Sequence, residues 1–124
     1  MLVDTDVMID YLRGHPAAVE FVHGNVDRIN VSAITVAELF QGVRDGHEKA
    51  LLAGTVSALI VLPVTEEIGE LGGLFRRDFR SSCGCGLADC LIAATAVFHS
   101  MPLAALNSRH FPMVKNLIEP YQKP

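Results

Sequence analysis

The strongest constraint on how this chain folds is an alternation. Short bursts of apolar residues recur, and each is followed by a stretch of helical pattern or helix signals. Met1–Asp4, Ile29–Ser32, Ile60–Val64 and Leu103–Leu106 read as strands, with Asn116–Glu119 a short fifth. Between them fall helical stretches at Val7–Leu12, Pro16–Gly24, Thr35–Val43, Lys49–Ala58, Thr65–Phe79 and Ala88–Phe98. Pro16 suits a first helical turn, and Gly24 a stop. Strands that alternate with helices form parallel sheets covered on both faces, so the expectation is an α/β fold with a central parallel sheet of four or five strands flanked by helices. At 124 residues the chain is the size of one domain, 1–124. Half of it is hydrophobic and 19% charged, enough apolar surface for a true core.

In folds of this kind ligands sit beyond the carboxyl ends of the strands. Asp4 closes the first strand and Asn107 follows the fourth. Two further acids stand in apolar surroundings: Glu38 between Ala37 and Leu39, and Asp89 just before Cys90-Leu91-Ile92-Ala93-Ala94. Lone buried carboxylates cost several kcal/mol unless they are paired or ligate a metal. If the three converge, mutual repulsion raises their pKa values and a divalent cation relieves it. Oxygen donors without a His or Cys cluster suit Mg²⁺ or Mn²⁺. Each residue also has a local reading. Asp4 is placed to cap the next helix. Thr35-Val36-Ala37-Glu38 fits a capping box. Asp89 complements a helix dipole, and Asn107 suits a turn.

The words around these residues occur together in one family. Leu2-Val3-Asp4-Thr5-Asp6-Val7-Met8-Ile9, Ser32 through Gly42, Gly86 through Ala96, and Leu106-Asn107-Ser108-Arg109-His110-Phe111 resemble, in order, the four motifs of PIN-domain ribonucleases, especially the VapC-type toxins of toxin–antitoxin pairs. The resemblance spans nearly the whole chain. It implies a PIN-like fold and a Mg²⁺-dependent (or Mn²⁺-dependent) endoribonuclease that inhibits translation and growth. Asp4, Glu38 and Asp89 would be the acidic triad, Asp4 and Asp89 the direct metal ligands, and Asn107 would orient water or substrate. The family often has Asp where Asn107 stands, and Asn where Asp6 stands. A homodimer is implied, with a VapB-type antitoxin inserting a cation near the acidic pocket. Arg13 and Arg109, close in sequence to Asp4 and Asn107, are candidates to hold a substrate phosphate.

Two rival functions are carried beside this one. Asp4-Thr5-Asp6 after an apolar strand also resembles the first motif of haloacid-dehalogenase-type phosphatases, although Met8 departs from it. A PIN domain that only binds is the other, and the complete triad argues against it. The net charge of −4 argues against a protein that coats nucleic acid non-specifically. Without Trp and with 6% aromatic residues, a base-stacking platform is not expected. Arg76, Arg77 and Arg80 are expected on a solvated helix face. Cys83, Cys85 and Cys90 are read as loop or packing thiols rather than, with His99, a zinc site, because spacing of one residue is too tight for structural zinc. Three cysteines make no secreted disulfide framework, so a reducing cytoplasm is expected. The opening residues show no signal peptide, and no run is apolar and long enough to span a membrane.

Overall fold

The computed structural model describes residues 1–123. Five strands, β1 (Leu2–Val3), β2 (Asn30–Ser32), β3 (Ile60–Leu62), β4 (Leu103–Ala104) and β5 (Leu117–Ile118), form one sheet in the order β3-β2-β1-β4-β5. Every pairing is parallel, with Leu2 opposite both Asn30 and Leu103. The chain steps outward from β1 to β3, then returns to lay β4 on the other side of β1. A switch in direction of this kind opens a crevice above β1 and β4.

Six helices cover the sheet: α1 (Thr5–Leu12), α2 (Pro16–Gly24), α3 (Ala33–Gln41), α4 (His47–Ser57), α5 (Glu66–Cys83) and α6 (Leu87–Phe98). The core splits into two clusters because successive strand residues point to opposite faces. Val3, Val31 and Ala104 pack with Val7, Met8, Val22 and Leu39, whereas Leu2 and Leu103 pack with Ile92, Ala93, Ala96 and Phe111. The second cluster rests on α6, whose residues Ile92 to Ala96 are fully buried. That explains the nearly unbroken apolar sequence of this helix.

Element boundaries differ from the sequence reading in instructive places. α3 starts at Ala33, because Ser32 Oγ accepts from the Ile34 N–H at 3.0 Å. The expected Gly- and Cys-rich loop over 81–86 is shorter, because α5 continues to Cys83 and is ended by Gly84 at φ +62°. Cys83 and Cys85 are joined in a disulfide across Gly84, which corrects the expectation of plain thiols there. Cys90 is the buried packing thiol. His99 lies beyond the far end of α6, nine residues and about 13 Å of helix from Cys90. Arg77 and Arg80 are exposed as expected, but Arg76 is half-buried. Among the described residues, no helix is long and apolar enough to cross a membrane.

α5 packs chiefly against α6, and the two helices approach closely at Gly72. A Cβ there would stand 2.6 Å from Leu91 Cδ2 and 3.2 Å from Leu91 Cα. The Leu91 methyl can swing aside, but the backbone cannot. Gly72→Val is therefore expected to lower stability by about 2–3 kcal/mol, the cost of overpacking a tight contact. Gly72→Ala should cost less, because its better helix propensity offsets part of the clash. Urea unfolding midpoints of the two variants measure the difference.

Candidate active site

Asp4 sits at the carboxyl end of β1, and its backbone N–H bonds the Ala104 carbonyl of β4 at 2.9 Å, so its place is set by the sheet. It is 4% exposed. Its carboxylate accepts from the Thr5 N–H at 2.8 Å and caps α1, so the local reading of this residue holds. One hydrogen bond does not compensate burial beside other acids. Desolvation, then repulsion from Asp6, Asp89 and Glu38, push the Asp4 pKa up to about 7. That repulsion is the electrostatic sign that β1, α1, α3 and α6 bring their acids to one place.

Glu38 is held there by hydroxyls. Thr5 Oγ1 donates to Glu38 Oε1 at 2.7 Å and lies 2.9 Å from Thr35 Oγ1. The Thr5 proton is committed to the carboxylate, so Thr35 donates to Thr5 and the chain runs Thr35 to Thr5 to Glu38. This excludes the capping box, since Ser32 is the cap and Thr35 lies inside α3. Asp89, in the first turn of α6, has a raised pKa. Burial is the main cause and Asp6 adds repulsion, against the opposing pull of His110. His110 Nδ1 lies 3.2 Å from Asp89 Oδ2. Sequence spacing gave His110 no role, and only its place in the fourth motif marked the segment.

Asn107 follows β4 at the head of a 3-10 turn (Ser108–His110), and its side chain makes no capping bond there. The turn reading is met by its backbone alone, leaving the amide for another use. It lines a cavity beside the C-terminal segment. Arg109 is exposed on that turn. Arg13, at the C-terminus of α1, lines a separate groove with Glu38, Ile9, Leu12, Leu39 and Val43.

The acids offer oxygen donors only, with one imidazole behind Asp89, and burial together with repulsion from neighbouring acids raises the Asp4 pKa. A hard divalent cation fits that donor set. Among the described residues, no three His, Cys, Asp or Glu side chains are drawn into a common coordination sphere.

A parallel sheet whose crevice gathers acids from β1, α3 and α6 defines the class. The family model of the PIN domain matches residues 1–116, and the chain belongs to the PIN-domain family. Within it, the chain is 41% identical over 124 residues to Ribonuclease VapC19 of Mycobacterium tuberculosis, covering 97% of this chain and 98% of the relative. It is 39% identical over 127 residues to Ribonuclease VapC10 of the same organism, covering 100% and 95%. A chain in the structure "Toxin-antitoxin complex from Klebsiella pneumoniae" superposes with a TM-score of 0.84 over 98% of each chain. Its 24% identity speaks to the fold. The family match overturns the phosphatase reading of Asp4 and Asp6, in keeping with the exposure of Asp6 beside a buried Asp4.

Proposed function

We propose that this chain is a single-domain, metal-dependent endoribonuclease, the toxin of a VapBC-type toxin–antitoxin pair, working in the cytoplasm to inhibit translation and growth. The observation that carries this is Asp4: a carboxylate with its pKa pushed to about 7 by burial and then by neighbouring acids, in a chain about 40% identical to VapC ribonucleases. Asp4 and Asp89 are the proposed direct ligands of Mg²⁺ or Mn²⁺. When bound, such an ion activates water and offsets the negative charge that develops on a phosphodiester.

The chain's own residues have separable tasks in this reading. Glu38, fixed by Thr5, would bind the ion or hold a ligating water. His110 donates to Asp89 Oδ2 and leaves Oδ1 free to ligate. The Asn107 amide, with one acceptor and two donors, orients the attacking water or the substrate. Arg109 and Arg13 are the proposed phosphate contacts.

The antitoxin reading rests on the groove beside Glu38. Its walls are Ile9, Leu12, Leu39, Val43, Leu51 and Leu52, it encloses about 400 Å³, and it carries Glu38 and Glu48. An apolar antitoxin segment with one Arg or Lys would bury its side chains there and place a cation against Glu38, competing with metal. The chain is further proposed to act as a homodimer.

Purified protein should cleave RNA with Mg²⁺ or Mn²⁺ and lose the activity in EDTA. End-mapping of cellular RNA after brief expression should show new 5′ ends that are missing with Asp4→Ala. Full activity in EDTA would refute the metal-nuclease reading.

A further inference from the structure

After β5 the chain turns back toward α1. Asp10 on α1 anchors it there: the carboxylate, 6% exposed, accepts from Tyr121 Oη at 2.8 Å and lies 2.9 Å from Lys123 Nζ through each oxygen. The Tyr121 ring stacks on His15 with centroids 5.5 Å apart. A buried acid with a cation and a hydroxyl donor is a strong tether, because losing Lys123 leaves the Asp10 charge buried without a counterion. The segment so held forms one wall of a cavity of about 420 Å³, with Leu106 and Asn107 opposite Glu119, Tyr121, Gln122 and Lys123. The volume lies in the range of small-ligand sites. Its lining is mainly polar, and its one aromatic ring is already stacked on His15. Recognition here must therefore work through hydrogen bonds to the edge of a ligand.

We propose that this cavity is a nucleotide subsite that takes the base beside the bond cut at the acidic cluster, and that Glu119 makes it prefer guanine. The proposal rests on the ribonuclease reading, and the turn that Asn107 heads joins the two places, since Asn107 lines the cavity and His110 of the same turn meets Asp89. A carboxylate only accepts hydrogen bonds. On the Watson–Crick edge, guanine alone presents two adjacent donors, N1–H and the N2 amino group, which one carboxylate accepts together. Its O6 needs a donor, which the Gln122 amide supplies. Uracil presents one donor between two acceptors, and adenine and cytosine each pair one donor group with an acceptor, so a carboxylate satisfies them singly. Sequence-specific recognition of single-stranded RNA commonly reads such edges.

Titration of the full chain with the four nucleoside 5′-monophosphates in EDTA, followed through backbone amide shifts, tests binding without cleavage. Guanosine monophosphate is expected to move residues 106–107 and 119–123 and to bind at least fivefold tighter than the other three. Glu119→Gln should erase that preference, and Asp10→Asn should weaken binding with shifts confined to 119–123, as the tether loosens. Cleavage-site mapping should show guanine enriched beside the cut in the wild type and not in Glu119→Gln. Equal binding of all four nucleotides, shifts elsewhere, or unchanged preference in Glu119→Gln overturns the subsite. If the subsite fails while Asp4→Asn still abolishes cleavage, the ribonuclease reading stands. If Asp4→Asn cleaves normally, that reading fails on its own.

Discussion

Asp4→Asn and Asp89→Asn are each expected to reduce RNA cleavage at least about 10³-fold, equivalent to some 4 kcal/mol of lost transition-state stabilisation. Both substitutions keep shape and remove charge. The asparagine oxygen at position 4 can still accept from the Thr5 N–H, so the cap on α1 survives. What disappears is the negative charge proposed to hold the divalent ion. If Asp4 served only as a helix cap, and Asp89 only as a partner for the helix dipole, activity would persist in both variants. Rate assays at saturating Mg²⁺ separate the cases, and calorimetric titration should show that metal affinity falls with activity. In the wild type, apparent metal affinity should weaken about tenfold per unit as pH falls below about 7, because a proton and the ion compete for Asp4.

Stability is expected to move the other way. The ordinary Asp4 pKa of 3.8 rises to about 7 in the fold. Below pH 4 both folded and unfolded chains are protonated at this residue, and Asp4 costs nothing. Between pH 4 and 7 the folded state holds a proton that the unfolded state has lost, so stability falls as pH rises through this window. Above pH 7 the full penalty is present, about 4 kcal/mol from the size of the shift. Asp4→Asn should then raise the stability of the metal-free protein by about 2–4 kcal/mol at pH 8, and by little at pH 4. Added Mg²⁺ should stabilise the wild type and not the variant, since only a folded state that binds the ion gains from it. Melting curves at the two pH values, with Mg²⁺ and with EDTA, measure all four quantities. A variant less stable than wild type at pH 8 would mean that the acids do not strain the fold.

Groups that conflict with folding in this way are recognisable before folding is known, and that accounts for how much was legible here. A carboxylate at the end of an apolar strand, or just ahead of an apolar helix, is conspicuous in one dimension. Asp4 and Asp89 were visible on that ground. So was the parallel sheet, because short apolar bursts separated by helices have few ways to bury both faces. Glu38 was ambiguous, since Thr35 and Glu38 also spell a capping box. The structure decided it, because Ser32 caps α3 one turn earlier and frees Glu38 for Thr5.

The sequence by itself therefore determined the layered fold, the order of the strands along the chain and the candidacy of Asp4 and Asp89, all properties of local pattern and of charge in apolar surroundings. Tertiary structure alone decided which distant groups meet. His110 reaches Asp89 only because β4 returns beside β1 and brings its following turn over α6. Asp10 meets Tyr121 and Lys123 across 111 and 113 residues of chain, a pairing that no periodicity encodes. The physical reason is the same in both cases: periodicity records which face of an element is buried, whereas contacts between elements depend on where the sheet places their ends.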